Sequence, residues 1–157
     1  MTLAYVGLGA NLGDSAATLR HVAGELGATP GIETVTVSPF YRSAPVDATG
    51  PDFINAVAAL HTTLAPLALL DVLQGLELAH GRERPYRNAP RTLDLDLLIY
   101  EGVTLDHPRL TLPHPRMHER AFVLRPLADL APALILPQGA LPALIAGVAD
   151  QAIEPLA

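Results

Sequence analysis

The chain of 157 residues contains no cysteine and no lysine. Without Cys there can be no disulfide and no thiolate zinc centre, a usage compatible with the cytoplasm, where the protein is expected. Without Lys there is no Gly-Lys-Ser/Thr phosphate loop. No apolar run approaches the ~20 residues of a membrane span, because charges or prolines interrupt each one. Met1 to Tyr5 carries no basic stretch and enters a strand pattern at once, so it does not read as a signal peptide. Repeats, low-complexity tracts and flexible linkers are also missing. The length suits a single domain over residues 1–157.

What is present is arginine, unevenly placed. All ten basic residues are Arg, and seven of them fall between Arg82 and Arg120, where six acids occur. The rest of the chain holds three Arg against ten acids, within a net charge of −6. A net-acidic body repels polyanionic backbones, so nucleic-acid binding is not expected. A local Arg cluster suits a small anionic ligand held by bidentate contacts.

The pattern of elements gives the fold class. Thr2 to Leu8 reads as a strand closing on a glycine-rich turn, Gly7 to Gly13. The glycines Gly7, Gly9 and Gly13 are spaced one residue too long for a dinucleotide loop. Asp14 or Ser15 caps a helix whose stripe is Leu19, Val22, Ala23 and Leu26, and Gly27 stops it. Ile32 to Ser43 and Phe53 to Leu64 read as strands joined by a Pro/Asp/Gly loop. Pro66 opens a second helix with the stripe Leu69, Val72, Leu73 and Leu76. An Arg-rich loop, Arg82 to Arg91, then leads into a strand. The order β-α-β-β-α-β predicts an α+β, ferredoxin-like sandwich: one antiparallel sheet with two helices on one face. From Glu101 onward eight prolines predict a loop-rich C-terminal extension, with a short strand pair and short helices packed on the core.

The most informative segment is Pro90-Arg91-Thr92-Leu93-Asp94-Leu95-Asp96. Residues i and i+2 of a strand share a face, with Cα atoms roughly 6–7 Å apart. Asp94 and Asp96 are therefore aimed at one point from an otherwise apolar strand. Buried carboxylates need a positive partner. A hard divalent cation with substrate phosphates supplies one; an ion-pair network with Arg87 and Arg91 is the alternative. Gln74 and Glu77, at i and i+3 opposite the second Leu stripe, are either a solvated helix face or part of the same cleft. Phe53 and Asn55 share a strand face. They are either core residues or a stacking wall beside an amide that reads a planar heterocycle through its donor and acceptor. Phe122 is a candidate for the opposing wall. His114 stands in a proline-stiffened loop with Arg116, His118 and Arg120 following; no His pair has convincing zinc spacing. Metal, phosphate and a flat ligand are thus expected together.

Several pieces carry a family resemblance: Gly9-Ala10-Asn11-Leu12-Gly13, Phe40 to Pro45, Pro51 to Ala56, Glu77, Gly81-Arg82 with Arg84, Pro90 to Asp96, and Leu112-Pro113-His114. In that order, over residues 4 to about 130, they resemble the 6-hydroxymethyl-7,8-dihydropterin pyrophosphokinases of folate biosynthesis. The resemblance implies pyrophosphoryl transfer from ATP to the pterin hydroxymethyl oxygen, releasing AMP. It implies that Asp94 and Asp96 hold two Mg²⁺ ions with ATP, and that Arg82 and Arg91 clamp phosphates. Gln74, Glu77, Arg84, Leu97, Leu110, Thr111, His114 and Arg120 would line the ATP side. Ser43, Ala44, Val46, Phe53, Asn55 and Phe122 would hold the pterin. A monomer acting on small molecules, with neither nucleic acid nor membrane as partner, goes with this. The chain departs from the family at Asn88-Ala89, where Trp-Gly is common, at Ala10 for Ser, and at Pro115 for an aromatic. The chief rival is a non-catalytic ferredoxin-like module that senses a nucleotide. It would use the Arg cluster but has no need of two carboxylates on one face.

Overall fold

The computed structural model describes residues 1–11, 14–44, 52–81 and 93–156. The first half runs β1 (Thr2–Ala10), α1 (Ser15–Gly27), β2 (Ile32–Val37), β3 (Tyr41–Ser43), β4 (Phe53–Thr62), α2 (Pro66–Gly81) and β5 (Asp94–Tyr100). There follow β6 (Leu105–His107), β7 (Leu110–Leu112), a 3-10 turn (Met117–Glu119), α3 (Ala121–Leu130), β8 (Ile135–Leu136), β9 (Gly139–Ala140), α4 (Leu141–Gly147) and β10 (Ile153–Pro155).

The main sheet is antiparallel, in the order β10-β3-β4-β1-β5, with β2 also on β4. β1 lies inside the sheet, between β4 and β5, and is apolar on both faces. Ala4, Val6, Leu8 and Ala10 join one core, while Leu3 and Tyr5 join another. The span 32–43, expected as one strand, is two. Pro39 has no N–H for a ladder, and Ser38 bridges the break. Its N–H donates to Val57 O, and its Oγ accepts from Val57 N, both at 2.9 Å.

Both expected helices form where the signals placed them. The Asp14 side chain accepts from Ala17 N at 3.1 Å and caps α1. Leu19, Val22 and Leu26 of α1, with Leu69 and Leu73 of α2, are fully buried on the Ala4/Val6/Leu8 face. Each such Leu contributes about 1.5–3 kcal/mol of burial.

The other face differs from expectation. One of the short helices expected after residue 101, the ten-residue α3, covers it, so the sheet carries helices on both sides rather than on one. Val123, Leu124 and Leu127 pack on Tyr5, Val57 and Leu98. Pro126 lies inside α3 and removes one backbone donor, yet the apolar stripe holds the helix down. Tyr41 OH donates to Asp129 Oδ2 at 2.5 Å, and Arg125 lies over the Tyr41 ring. Among the described residues, no helix is long and apolar enough to cross a membrane.

Candidate active site

The α3-side core stops short of one end of the sheet because β1 has no side chains to offer there. Gly9 stands between Asn55 of β4 and Asp94 of β5, and Gly7 between Val57 and Asp96. Both glycines, expected from the sequence in a turn, lie within the strand and form the bare floor of a cleft of about 370 Å³. A Cβ on Gly9 would lie 3.2 Å from Asn55 Oδ1 and 3.9 Å from Asp94 Cβ. Gly9→Ala should therefore crowd the amide and weaken binding of a flat ligand on this floor by at least about tenfold, with little effect on an ATP analogue. Titrating each ligand separately into the variant checks this; unchanged affinity for the flat ligand would mean the floor is not used.

Asp94 and Asp96 both line the cleft and are half-buried. The N–H of Leu95, between them, donates to Glu77 Oε2 at 2.9 Å. Glu77 is thus no solvated helix residue: it ties α2 to the edge of β5 and fixes the strand that aims both carboxylates. An all-oxygen pair beside bare glycine backbone suits a hard divalent cation such as Mg²⁺.

Two residues on, β5 bulges. Tyr5 pairs with Ile99 and Val6 with Leu97, so Leu98 is the extra residue. Its carbonyl accepts the His114 N–H at 2.8 Å, which brings the Pro113-His114-Pro115 loop beside the aspartates. His114 Nδ1 accepts the Arg116 N–H at 3.1 Å, so the neutral ring carries its proton on Nε2. Burial pushes the His114 pKa below its usual 6.5, Asp96 opposes this, and Arg120 and Arg116 add to it. A lowered His pKa means that the unfolded chain binds the proton first. The fold gains nothing from this group above about pH 6.5 and loses stability as pH falls below it.

The opposite wall belongs to the other expected residues. Asn55 is buried, and its Nδ2 donates to Ser43 Oγ at 2.6 Å. That bond turns Oδ1 toward the floor at Gly9. Ser43, Ala44, Phe53, Asn55 and Phe122 all line the cleft, and Arg120 lies over the Phe122 ring, 5.6 Å from its centre. Val46 lies outside the described residues, as do Arg82, Arg84 and Arg91.

Of the described residues expected on the ATP side, only Arg120 lines this cleft; Glu77 and His114 stand behind β5 and beside it, and four others lie further off. Leu97 and Leu110 are buried in the α1/α2 core. Gln74 and Thr111 are exposed, and Gln74 Oε1 accepts from Arg109 at 3.0 Å. Arg109 also pairs with Asp71 at 2.6 Å, linking α2 to the β6-β7 hairpin. Sequence reasoning passed over Arg109, whose only signal was its place in the Arg-rich span.

It also missed Gln151. This side chain lines the cleft, accepts from Ala121 N at 2.8 Å and donates to Glu119 O at 2.7 Å. It supplies from the C-terminal segment the N-terminal cap that Arg120 does not give α3. Gln151→Ala should cost about 0.5–2 kcal/mol of stability and raise the KM of the flat ligand, since Arg120 and Phe122 start from that turn. Denaturant melts with steady-state kinetics decide it; a loss of stability with unchanged KM would make Gln151 purely structural.

A family model described as 7,8-dihydro-6-hydroxymethylpterin-pyrophosphokinase (HPPK) matches residues 5–132. The chain is 50% identical over 154 residues to a 2-amino-4-hydroxy-6-hydroxymethyldihydropteridine pyrophosphokinase of Pseudomonas aeruginosa, covering 97% of this chain and 95% of that one. It is 49% identical over 137 residues to the protein of the same name from Methylorubrum extorquens, covering 87% of each. Among solved structures, a crystal structure of Plasmodium falciparum HPPK-DHPS wild type with pteroate matches with a TM-score of 0.74 at 14% identity. That match covers 95% of this chain and 42% of the longer solved one, and it speaks to the fold alone.

Proposed function

The chain belongs to the 7,8-dihydro-6-hydroxymethylpterin-pyrophosphokinase family, and we propose that the cleft between β5 and the start of α3 carries out that family's reaction. The reaction is transfer of the pyrophosphoryl group of ATP to 6-hydroxymethyl-7,8-dihydropterin, in folate biosynthesis. The observation that carries the assignment is the row Asn55–Gly9–Asp94: an amide and a carboxylate face one patch without side chains.

The pterin lies on the Gly9 floor between Phe53 and Phe122. Asn55 reads one edge of the ring, with Ser43, Ala44 and Val46 beside it. Stacking between two aromatic rings adds about 0.5–1.5 kcal/mol beyond area alone. The hydroxymethyl oxygen then points toward Asp94 and Asp96. It attacks the β-phosphorus, the bond from that phosphorus to the α,β-bridging oxygen breaks, AMP leaves with that oxygen, and the alcohol proton passes to water. Asp94 and Asp96 would hold Mg²⁺, two ions with ATP bound, which would withdraw charge from the phosphates. Arg82, Arg91 and Arg120 hold phosphate oxygens, and neutral His114 donates from Nε2 without adding charge. Gln74, Glu77 and Thr111 serve the nucleotide along the outer edge of β5, where Leu97 and Leu110 support them from the core, and Arg84 adds a charge for its phosphates. Positioning and electrostatics suffice for such a transfer without a protein nucleophile. The chain acts as a monomer.

Incubation with ATP and 6-hydroxymethyl-7,8-dihydropterin tests this directly. AMP and the pterin diphosphate should form together, only when both substrates are present. ADP as product would put the attack at the γ-phosphorus and overturn the assignment. A nucleotide-sensing module would bind ATP and release nothing.

A further inference from the structure

On the face of the sheet away from the cleft, α1 and α2 bring two imidazoles and a carboxylate together. His21 and Glu25 sit four residues apart on α1 and so share a face, and His80 reaches them from the last turn of α2. Their ligand atoms all lie within 4.8 Å of one another. Glu25 Oε1 is the shared point, 3.4 Å from His21 Nε2 and 2.6 Å from His80 Nε2. The two rings meet edge to face with centroids 5.8 Å apart. A hydrogen-bonded His–Glu pair needs only one imidazole; here a second comes to the same oxygen.

We propose that His21, Glu25 and His80 bind a divalent transition cation of the zinc type, which clamps α1 to the end of α2. Two nitrogens and one oxygen suit zinc, cobalt or nickel; magnesium and calcium prefer oxygen alone. In a tetrahedral centre with bonds of about 2.1 Å, neighbouring ligand atoms lie roughly 3.4 Å apart. The His21–Glu25 spacing already matches. The His80–Glu25 spacing must open by less than about 1 Å, which a rotation of these partly exposed side chains supplies. The His21 side chain is 70% exposed, so water completes the coordination and the cation can enter. The site is independent of the pyrophosphoryl-transfer assignment and shares no residue with it.

Equilibrium dialysis of the full chain against micromolar Zn²⁺ in millimolar Mg²⁺ tests the proposal. One Zn²⁺ per chain should be retained, and the thermal midpoint should rise with Zn²⁺. Either His21→Ala or His80→Gln should weaken retention by more than about tenfold and remove the thermal shift. Asp96→Asn should preserve both. Co²⁺ in place of Zn²⁺ should give visible absorption bands that His21→Ala abolishes. His21 is exposed, so its variant folds even if a change at His80 does not. No Zn²⁺ retained, retention indifferent to both His variants, or retention lost with Asp96→Asn would each overturn the proposal.

Discussion

Asp96→Asn should lower turnover by about 4 kcal/mol in transition-state terms, roughly a thousandfold, and leave the fold intact. The side chain keeps its shape but loses the charge that, with Asp94, faces the floor at Gly7 and Gly9. A carboxylate in this place is worth most when phosphate charge is redistributed, because the cations proposed for it would act mainly there. Folding should not suffer: the variant keeps the side chain's shape, and the bond that positions the strand runs from the Leu95 backbone N–H to the Glu77 carboxylate, neither of which it touches. Half-saturation by Mg²⁺ should move to higher concentration in the variant. Single-turnover rates across a Mg²⁺ series, with a denaturant melt, separate the effects. Near-normal turnover at ordinary Mg²⁺ would remove Asp96 from the metal site, and a large loss of stability would make it a structural charge.

The parts of this site that the sequence revealed are those built on strict periodicity. Asp94 with Asp96, and Phe53 with Asn55, stand two apart, and two-residue alternation sends each pair to one face whatever the sheet around it. Both β-α units followed their caps and Leu stripes. The parts that stayed hidden depend on neighbours far along the chain. Gly7 and Gly9 carry the mark of a turn, and only pairing with β4 and β5 on both sides makes them strand and floor. The Leu98 bulge, which docks the His114 loop, has no local signature. Prolines made the C-terminal third look irregular, yet a buried stripe at Val123, Leu124 and Leu127 outweighs the donor lost at Pro126. Gln151 caps a helix 30 residues before it, which no local window detects. Leu97 and Leu110 illustrate the converse: a motif position can be occupied while its side chain serves the core.

Asn55→Ala should abolish most pterin affinity while leaving ATP-analogue binding nearly unchanged. The amide is buried, and its Nδ2 is already engaged by Ser43 Oγ at 2.6 Å. That bond fixes the amide plane, so Oδ1 and the second N–H meet a heterocycle edge with no reorientation. Removing a partner from a buried polar edge costs about 1–3 kcal/mol per unsatisfied group. With two such contacts at stake, a loss on the order of a hundredfold follows. The variant also leaves the buried Ser43 hydroxyl short of one donor, so some loss of stability should accompany it. Ser43→Ala separates the two contributions: it removes the bond that holds the amide plane but keeps the amide, and should cost far less pterin affinity than Asn55→Ala. Calorimetry with the pterin and with a non-hydrolysable ATP analogue supplies the comparison. Equal losses for both ligands would make Asn55 a structural residue, and equal pterin losses for the two variants would mean that orientation by Ser43, not contact with the amide, carries the affinity.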